Sequence, residues 1–454
     1  MEEIVPSFAV LLQGFSPCFT QPSWTSFVVL MRGWVLCLGR RTITQVIQAG
    51  GGLSSKHFSS YHRFFSLGQW SLDEVSHGLV QLIKPLLGPV VLLGVDDTLT
   101  RKSGRHIWGA GMHHDPLRST RQKAVFSFGH NWVVLSLHLS FPFAPHKTWA
   151  LPVLFRLYRR QAKKRGRGRP KGERKSTGAA SAGEYRTRPQ LALELIQLVA
   201  QWLPDREFQL VADSAYAGQT ISRHLPINVH LYSRMCLNAA LYAPAPTRRP
   251  GQRGRTRQRG DRLPSPQQII HDRHYPWRRT TVHIYGKKVR VHYKTLQALW
   301  YHSSGPRLLQ IVIVRDPSRR RRDDCFFSTN PQATPQQILH TIAARWPLEE
   351  AFRNAKQFLG LEDPQNRTAR AVARTAPMAL LAYSLVILWF ARSGHTTWRL
   401  IPRPWYRHKS SPSFADMLHH LRLQSVDHFL FSHPPVSPGS NKFLQPLFTF
   451  LRAA

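Results

Sequence analysis

The run Val90-Val91-Leu92-Leu93-Gly94-Val95, which passes directly into Asp96-Asp97-Thr98, limits the possible folds more than any other stretch of the chain. It is continuously apolar and rich in branched residues, without the alternation of a half-solvated strand. A strand of that kind is covered on both faces, so helices must flank its sheet. Two further strand patterns, Trp132 to Leu137 and Phe208 to Ala212, extend the argument. The second follows a helical pattern from about Pro189 to Trp202. Strands interleaved with helices indicate an α/β core. The first strand is expected to end in Asp96-Asp97-Thr98 and the third in Asp213-Ser214-Ala215-Tyr216.

Acids at those two places stand out because acids are scarce. Lys and Arg number 63 against 24 Asp and Glu, a formal charge of +39. Such a surface attracts polyanions, nucleic acid first and anionic membrane second, but charge alone does not separate an enzyme from a merely basic protein. In α/β sheets ligand sites lie beyond the carboxyl ends of strands. Two aspartates there can share a hard divalent cation; alternatively each caps the turn that follows. A third acid lies in Pro347 to Gly360, which reads as one helix with Pro347 in its first turn and Gly360 at its C-terminal end. Leu348, Phe352, Ala355 and Leu359 form its apolar stripe. Glu349, Arg353 and Lys356 follow one residue along, as a metal- and phosphate-holding edge or as an ordinary solvated one.

The remainder of the chain divides by texture. Residues 1–88 read as helical and probe-like for DNA: the apolar run Phe27 to Leu38, breaks at Gly39 and Gly50-Gly51-Gly52, and the basic-aromatic segment Lys56 to Phe65 suit a helix-turn-helix-like binder or a plain helical bundle. Two basic low-complexity stretches, Arg159 to Lys175 and Arg248 to Arg262, interrupt the core within a linker (159–188) and a loop (244–266). The first contains Arg167-Gly168-Arg169-Pro170, which fits either an AT-hook entering a narrow minor groove or a linker touching phosphates. Strand-like runs at 281–285, 289–293 and 308–314 make residues 216–330 β-rich, with turns expected at Gly286-Lys287-Lys288 and Arg319 to Arg322. Ala376 to Ala391 is apolar but short for a membrane span and contains Pro377, so a buried core helix is expected. Cys18, Cys37, Cys236 and Cys325 form no CxxC pair, and no secretory signal is read at the N-terminus. Both fit a cytoplasmic protein.

Arg345-x3-Glu349-x6-Lys356, in the context Arg345-Trp346-Pro347-Leu348-Glu349-Glu350, resembles the Tyr-Arg-Glu-Lys signature of a large group of bacterial insertion-sequence transposases. Asp96-Asp97-Thr98 resembles that group's Asp-x-Thr block, a register that favours Asp96 over Asp97, and Asp213 resembles its second aspartate. The similarity spans roughly residues 90–390, with Ile342 standing where the signature has Tyr. The resemblance implies a ribonuclease-H-like catalytic core (89–215 and 331–395) interrupted by a β-rich insertion (216–330), with a helical N-terminal domain (1–88) and a C-terminal region (396–454) for dimer or DNA contact. It also implies catalytic, metal-holding Asp96, Asp213 and Glu349 with two Mg²⁺ ions, for which Mn²⁺ can substitute. DNA contacts are implied at Arg345 and Lys356, and Arg353, outside the strict signature, is a further candidate on the same helix edge. Base stacking is a candidate role for Trp300 or Trp277, though a buried structural role is the better reading of each. The implied partners are transposon inverted-repeat ends, target DNA and a second copy of the chain in a synaptic complex. The alternative is a catalytically inactive DNA-binding protein derived from such an enzyme.

Overall fold

In a computed structural model of the chain, residues 4–432 are described apart from 105, 121, 161–184, 249–252, 285–286, 319–320 and 402–403. Arg167 and Arg169 therefore lie outside the described residues, as do most of the basic linker and part of the basic loop. The apolar run at Val90 opens β1 (Val90–Arg101), and the strand does not stop at Asp96-Asp97-Thr98 as expected. It continues because β3 (Phe126–Phe141) pairs antiparallel with it from Leu92 to Arg101. Beside β3 lie β2 (Gly111–His114) and β4 (Ala144–Tyr158). On the other edge of β1 runs β5 (Glu207–Ala212), parallel, and then β6 (Val229–Met235), parallel to β5. The order β4-β3-β1-β5-β6, antiparallel on one side of β1 and parallel on the other, is a ribonuclease-H-like sheet in a mixed α/β fold.

The sheet does not end at β6. After the two-residue strands β7 (Leu241–Tyr242) and β8 (Arg262–Leu263) come β9 (Arg278–Ile284), β10 (Lys287–Leu299), β11 (Leu308–Arg315) and β12 (Asp324–Ser328). β12 pairs antiparallel with β6, so these strands extend the same twelve-stranded sheet. The hairpin expected around Gly286 forms, with Ile284 opposite Lys287.

Helices cover both faces. At the N-terminus are α1 (Pro6–Gln13), α2 (Gln21–Leu36), α3 (Ile43–Ala49), α4 (Phe58–Ser66) and α5 (Leu72–Ile83). Their sequence signals are local: Thr42 caps α3, and Ser71 caps α5 through the Asp73 and Glu74 amides. α4 turns Tyr61, Phe64 and Phe65 inward. α6 (Arg188–Trp202) begins in a reciprocal capping box of Thr187 and Gln190. Three short helices follow, α7 (Gln219–Ser222), α8 (Pro266–His271) and α9 (Tyr301–Ser304), and then α10 (Pro335–Ala343) and α11 (Trp346–Leu359). α12 (Ala369–Trp389) carries the apolar run around Pro377; it is long and apolar enough to cross a membrane, but its most apolar window is 89% buried in the fold. It behaves as the expected core helix, touching α2, α4 and β4. A one-turn helix, α13 (His395–Thr397), and α14 (Phe414–Ser432) complete the described chain. One apolar cluster runs without a break from Phe8 and Trp34 through Leu93 and Leu195 to Leu385 and Leu418. The N-terminal helices are thus bonded into the same core as the sheet, and burial on this scale is the main stabilising term.

Candidate active site

Register places the first two acids. Val95 pairs with Ala212, the last parallel pair between β1 and β5, so Asp96 and Asp213 follow at equivalent positions on neighbouring strands. Asp213 then caps a single 3₁₀ turn (Ser214–Tyr216): its Oδ1 accepts from the Ser214 amide at 2.7 Å and the Ser214 hydroxyl at 3.3 Å. Capping and a role at the site are compatible, because a carboxylate has acceptor capacity for both.

Strand alternation sends Asp96 and Asp97 to opposite faces. Asp97 is consumed by a network. Its Oδ1 accepts from the Tyr216 hydroxyl at 2.7 Å, and its Oδ2 from Asn131 Nδ2 at 2.7 Å and Arg188 Nη1 at 2.9 Å. That network ties β1 to the turn after Asp213, to β3 and to the start of α6. Burial and the negative charge of Asp97 drive the Tyr216 pKa far up, so its hydroxyl keeps its proton and stays a donor. None of these partners was legible beforehand, since each depends on cross-strand register.

Asp96 faces the junction of α10 and α11. Ala344 and Arg345 form this joint, and Pro347 fits the first turn of α11, where its missing N–H is no loss. The helix ends at Gly360 with φ 62°, where a Cβ would fall 2.3 Å from Asp363 Oδ2. Leu348, Phe352, Ala355 and Leu359 are buried, as the stripe requires. Arg345 sits at the start of the helix and spans two acids. Its Nη1 donates to Asp96 Oδ2 at 2.8 Å, and its Nη2 lies 2.5 Å from Glu349 Oε1. The side chains of Asp96, Arg345 and Glu349 retain 17%, 30% and 35% exposure, so the cluster lies within reach of solvent although β1 is an interior strand. Burial pushes the Asp96 pKa up to about 7; Arg345 and the Asp97 amide oppose the shift, while the charges of Asp97 and Asp213 add to it. Burial works to lower the Arg345 pKa, but Asp96, Glu349 and Asp213 together hold it above its ordinary value.

The edge of β1 beyond Val95 has no strand partner on the β5 side, and side chains replace one. The Asp97 amide donates to Asp96 Oδ1 at 2.8 Å, Lys356 Nζ donates to the Leu99 carbonyl at 2.7 Å, and the Arg101 amide donates to Glu362 Oε1 at 3.0 Å. Lys356 is accordingly turned toward the strand. Arg353 is open, with its side chain 66% exposed and 3.9 Å from Glu350, and Glu350 itself pairs with Lys147 at 3.0 Å. Ile342, in the place of the signature Tyr, packs against the apolar cluster of Tyr232, Val312 and Ile338. Trp300 precedes α9 and meets Phe327 edge-on at 5.7 Å. Trp277 lies between Lys294 and Arg315, 4.8 and 4.1 Å from its ring. The structure thus brings Asp96 and Glu349 together on Arg345, with Asp213 just past the end of the neighbouring strand, and leaves Trp300 and Trp277 on the strand-rich extension.

A cavity of about 390 Å³ opens beside Asp96, Asp97 and Asp213, lined also by His113, Asn131 and Arg188. Among the described residues, His113 Nε2 and Asn131 Oδ1 are buried without a hydrogen-bond partner. A wider groove of about 710 Å³ runs past His146, Lys147, Lys288, His340 and Trp346.

A family model described as DDE superfamily endonuclease matches residues 14–292. The chain belongs to this family. The matched span contains Asp96 and Asp213 and stops short of Glu349. No curated protein matches the chain. Membership of this family supports a nuclease of the transposase type, with DNA as its substrate class. Enzymes of the superfamily generally use divalent metals. Among the described residues no three His, Cys, Asp or Glu side chains are grouped closely enough to hold one ion. The donor chemistry fits nonetheless: all three acids offer hard carboxylate oxygens, two of them already share one cation, and that cation is the Arg345 guanidinium.

Proposed function

We propose that this endonuclease is a DNA transposase that cleaves at the ends of its element and joins the freed 3′ ends to target DNA. One observation carries the reading: acids from a central strand and a distant helix, Asp96 and Glu349, meet on one guanidinium beside the strand end that bears Asp213. Divalent metal held by Asp96, Asp213 and Glu349, with Mg²⁺ or Mn²⁺ as the fitting ions, supplies the Lewis acidity for in-line displacement at phosphorus. The chain's own groups orient the substrate. Arg353, at the open end of the α11 edge, and Arg345, at its start, hold backbone phosphates by charge-assisted hydrogen bonds. Lys147, Lys288 and His340 along the wider groove extend that path with positive or polarisable groups. The Asp97 network and Lys356 keep β1 and its neighbours rigid, so that the acids stay in position. Water or a 3′ hydroxyl is the nucleophile, and no covalent protein–DNA link is required. Synapsis of two ends calls for at least a dimer, with target DNA as the third partner.

The second reading is a DNA-binding protein that no longer cuts. It is favoured by the ungrouped acids and by the guanidinium seated between two of them. Alanine variants separate the two. Asp96→Ala, Asp213→Ala and Glu349→Ala should each abolish nicking of the element's own ends while DNA affinity stays within a few-fold of wild type. Full nicking by any one of them removes that residue from the site, and the absence of nicking by the wild-type chain supports the second reading.

A further inference from the structure

We propose that Arg345 and a divalent cation exchange for the same carboxylates, so that metal loading releases the guanidinium to a DNA phosphate. The inference rests on the reading of Asp96, Asp213 and Glu349 as the metal-holding acids. Its own basis is geometric. Arg345 touches both Asp96, at 2.8 Å, and Glu349, at 2.5 Å, and those are two of the acids that would have to converge on an ion. Two carboxylate oxygens directed at its two terminal nitrogens occupy the donors that a phosphate would otherwise receive in the same fork. Bound in this way, Arg345 is both a counter-ion that keeps the acids from repelling one another and a phosphate ligand turned inward. Its side chain is 30% exposed and springs from the joint between α10 and α11. A rotamer change therefore carries the guanidinium from the acids to the open side without moving either helix. Metal and arginine then oppose each other at the acids and cooperate on DNA: the cation takes the carboxylates, and the arginine takes the phosphate. Thermodynamic reciprocity requires that a cation which frees Arg345 strengthens DNA binding by the same factor by which DNA strengthens cation binding.

The test titrates Mn²⁺ into the full chain in the absence of DNA and reads free Mn²⁺ by its paramagnetic resonance. Wild type, Arg345→Ala, Arg345→Lys and Asp96→Asn are compared. Exchange predicts that Arg345→Ala binds Mn²⁺ about 10-fold more tightly than wild type, within the usual range of couplings between sites. Arg345→Lys should fall between them, because one ammonium cannot fork across two carboxylates, and it carries the test if the alanine variant does not fold. Affinity in either Arg345 variant equal to or below wild type overturns the exchange, while loss of binding in Asp96→Asn leaves the carboxylate site standing. Binding indifferent to Asp96→Asn overturns the carboxylate site itself, and the exchange with it.

Discussion

Asp96 shows how far one side chain's surroundings can set its chemistry. Its ionised form is disfavoured by burial, and its pKa stands near 7 against an ordinary 3.8. The folded state therefore holds this proton more tightly than the unfolded chain. Between about pH 4 and pH 7 the native state binds more protons, so this group's contribution to stability falls as pH rises and levels off above pH 7. Metal-free wild type should lose melting temperature relative to Asp96→Asn as pH goes from 5 to 8, and a difference independent of pH would contradict the assignment. Lys356 makes the opposite point. The spacing that places it on the α11 edge with Glu349 reads as a phosphate contact, yet its ammonium supplies the hydrogen bond that the Leu99 carbonyl lacks. Burial lowers its pKa, and Glu362 partly offsets that. Lys356→Met should lower stability by about 1–3 kcal/mol, the cost of a buried acceptor left unpaired. A denaturant midpoint that does not move would show that the contact is dispensable. The sequence reveals which residue types sit where along α11, but not which way a long side chain turns.

At the scale of elements, what was legible was what local chemistry dictates. The branched run at Val90, the Pro347 start and Gly360 end of α11, its apolar stripe, and the burial of the helix around Pro377 all follow from patterns within a few residues. The true length of β1 was not legible, because its polar second half, Asp96 to Arg101, is a strand only by virtue of β3. Nor was the attachment of β12 to β6, which depends on pairing across long stretches of chain. The Asp97 network belongs to this scale, for it joins β1, β3, the turn after Asp213 and α6. Asp97→Ala leaves Tyr216 and Arg188 without their acceptor and should destabilise by about 1–3 kcal/mol. It should also depress cleavage more than DNA affinity, since it loosens the frame and not the phosphate path. Equal losses in both would place Asp97 on the DNA surface. Gly94→Ala probes the same sheet from the other face: a Cβ there would fall 2.3 Å from Nε2 of the buried His138. Overpacking of this kind costs about 1–3 kcal/mol, measurable by thermal or denaturant unfolding.

For the whole molecule, a formal charge of +39 and one large apolar core that joins the N-terminal helices to the sheet bound the answer. Charge predicts that affinity for any duplex falls steeply with salt, by about 0.9 in log K per log unit for each phosphate neutralised. Loss of Asp213, which does not hold Arg345 by a direct contact, should leave that slope intact, whereas loss of Asp96 or Glu349 frees the guanidinium and should steepen it by about one phosphate contact. The three carboxylates that the account assigns to chemistry come from elements far apart in sequence. That assignment is tested most directly by cleavage of a labelled duplex bearing the element's own ends, with Mg²⁺ or with EDTA, by wild type and Glu349→Gln. The account predicts nicking by wild type that requires Mg²⁺ and disappears in the variant while the duplex is still bound. Metal-dependent nicking that survives Glu349→Gln undiminished would contradict it.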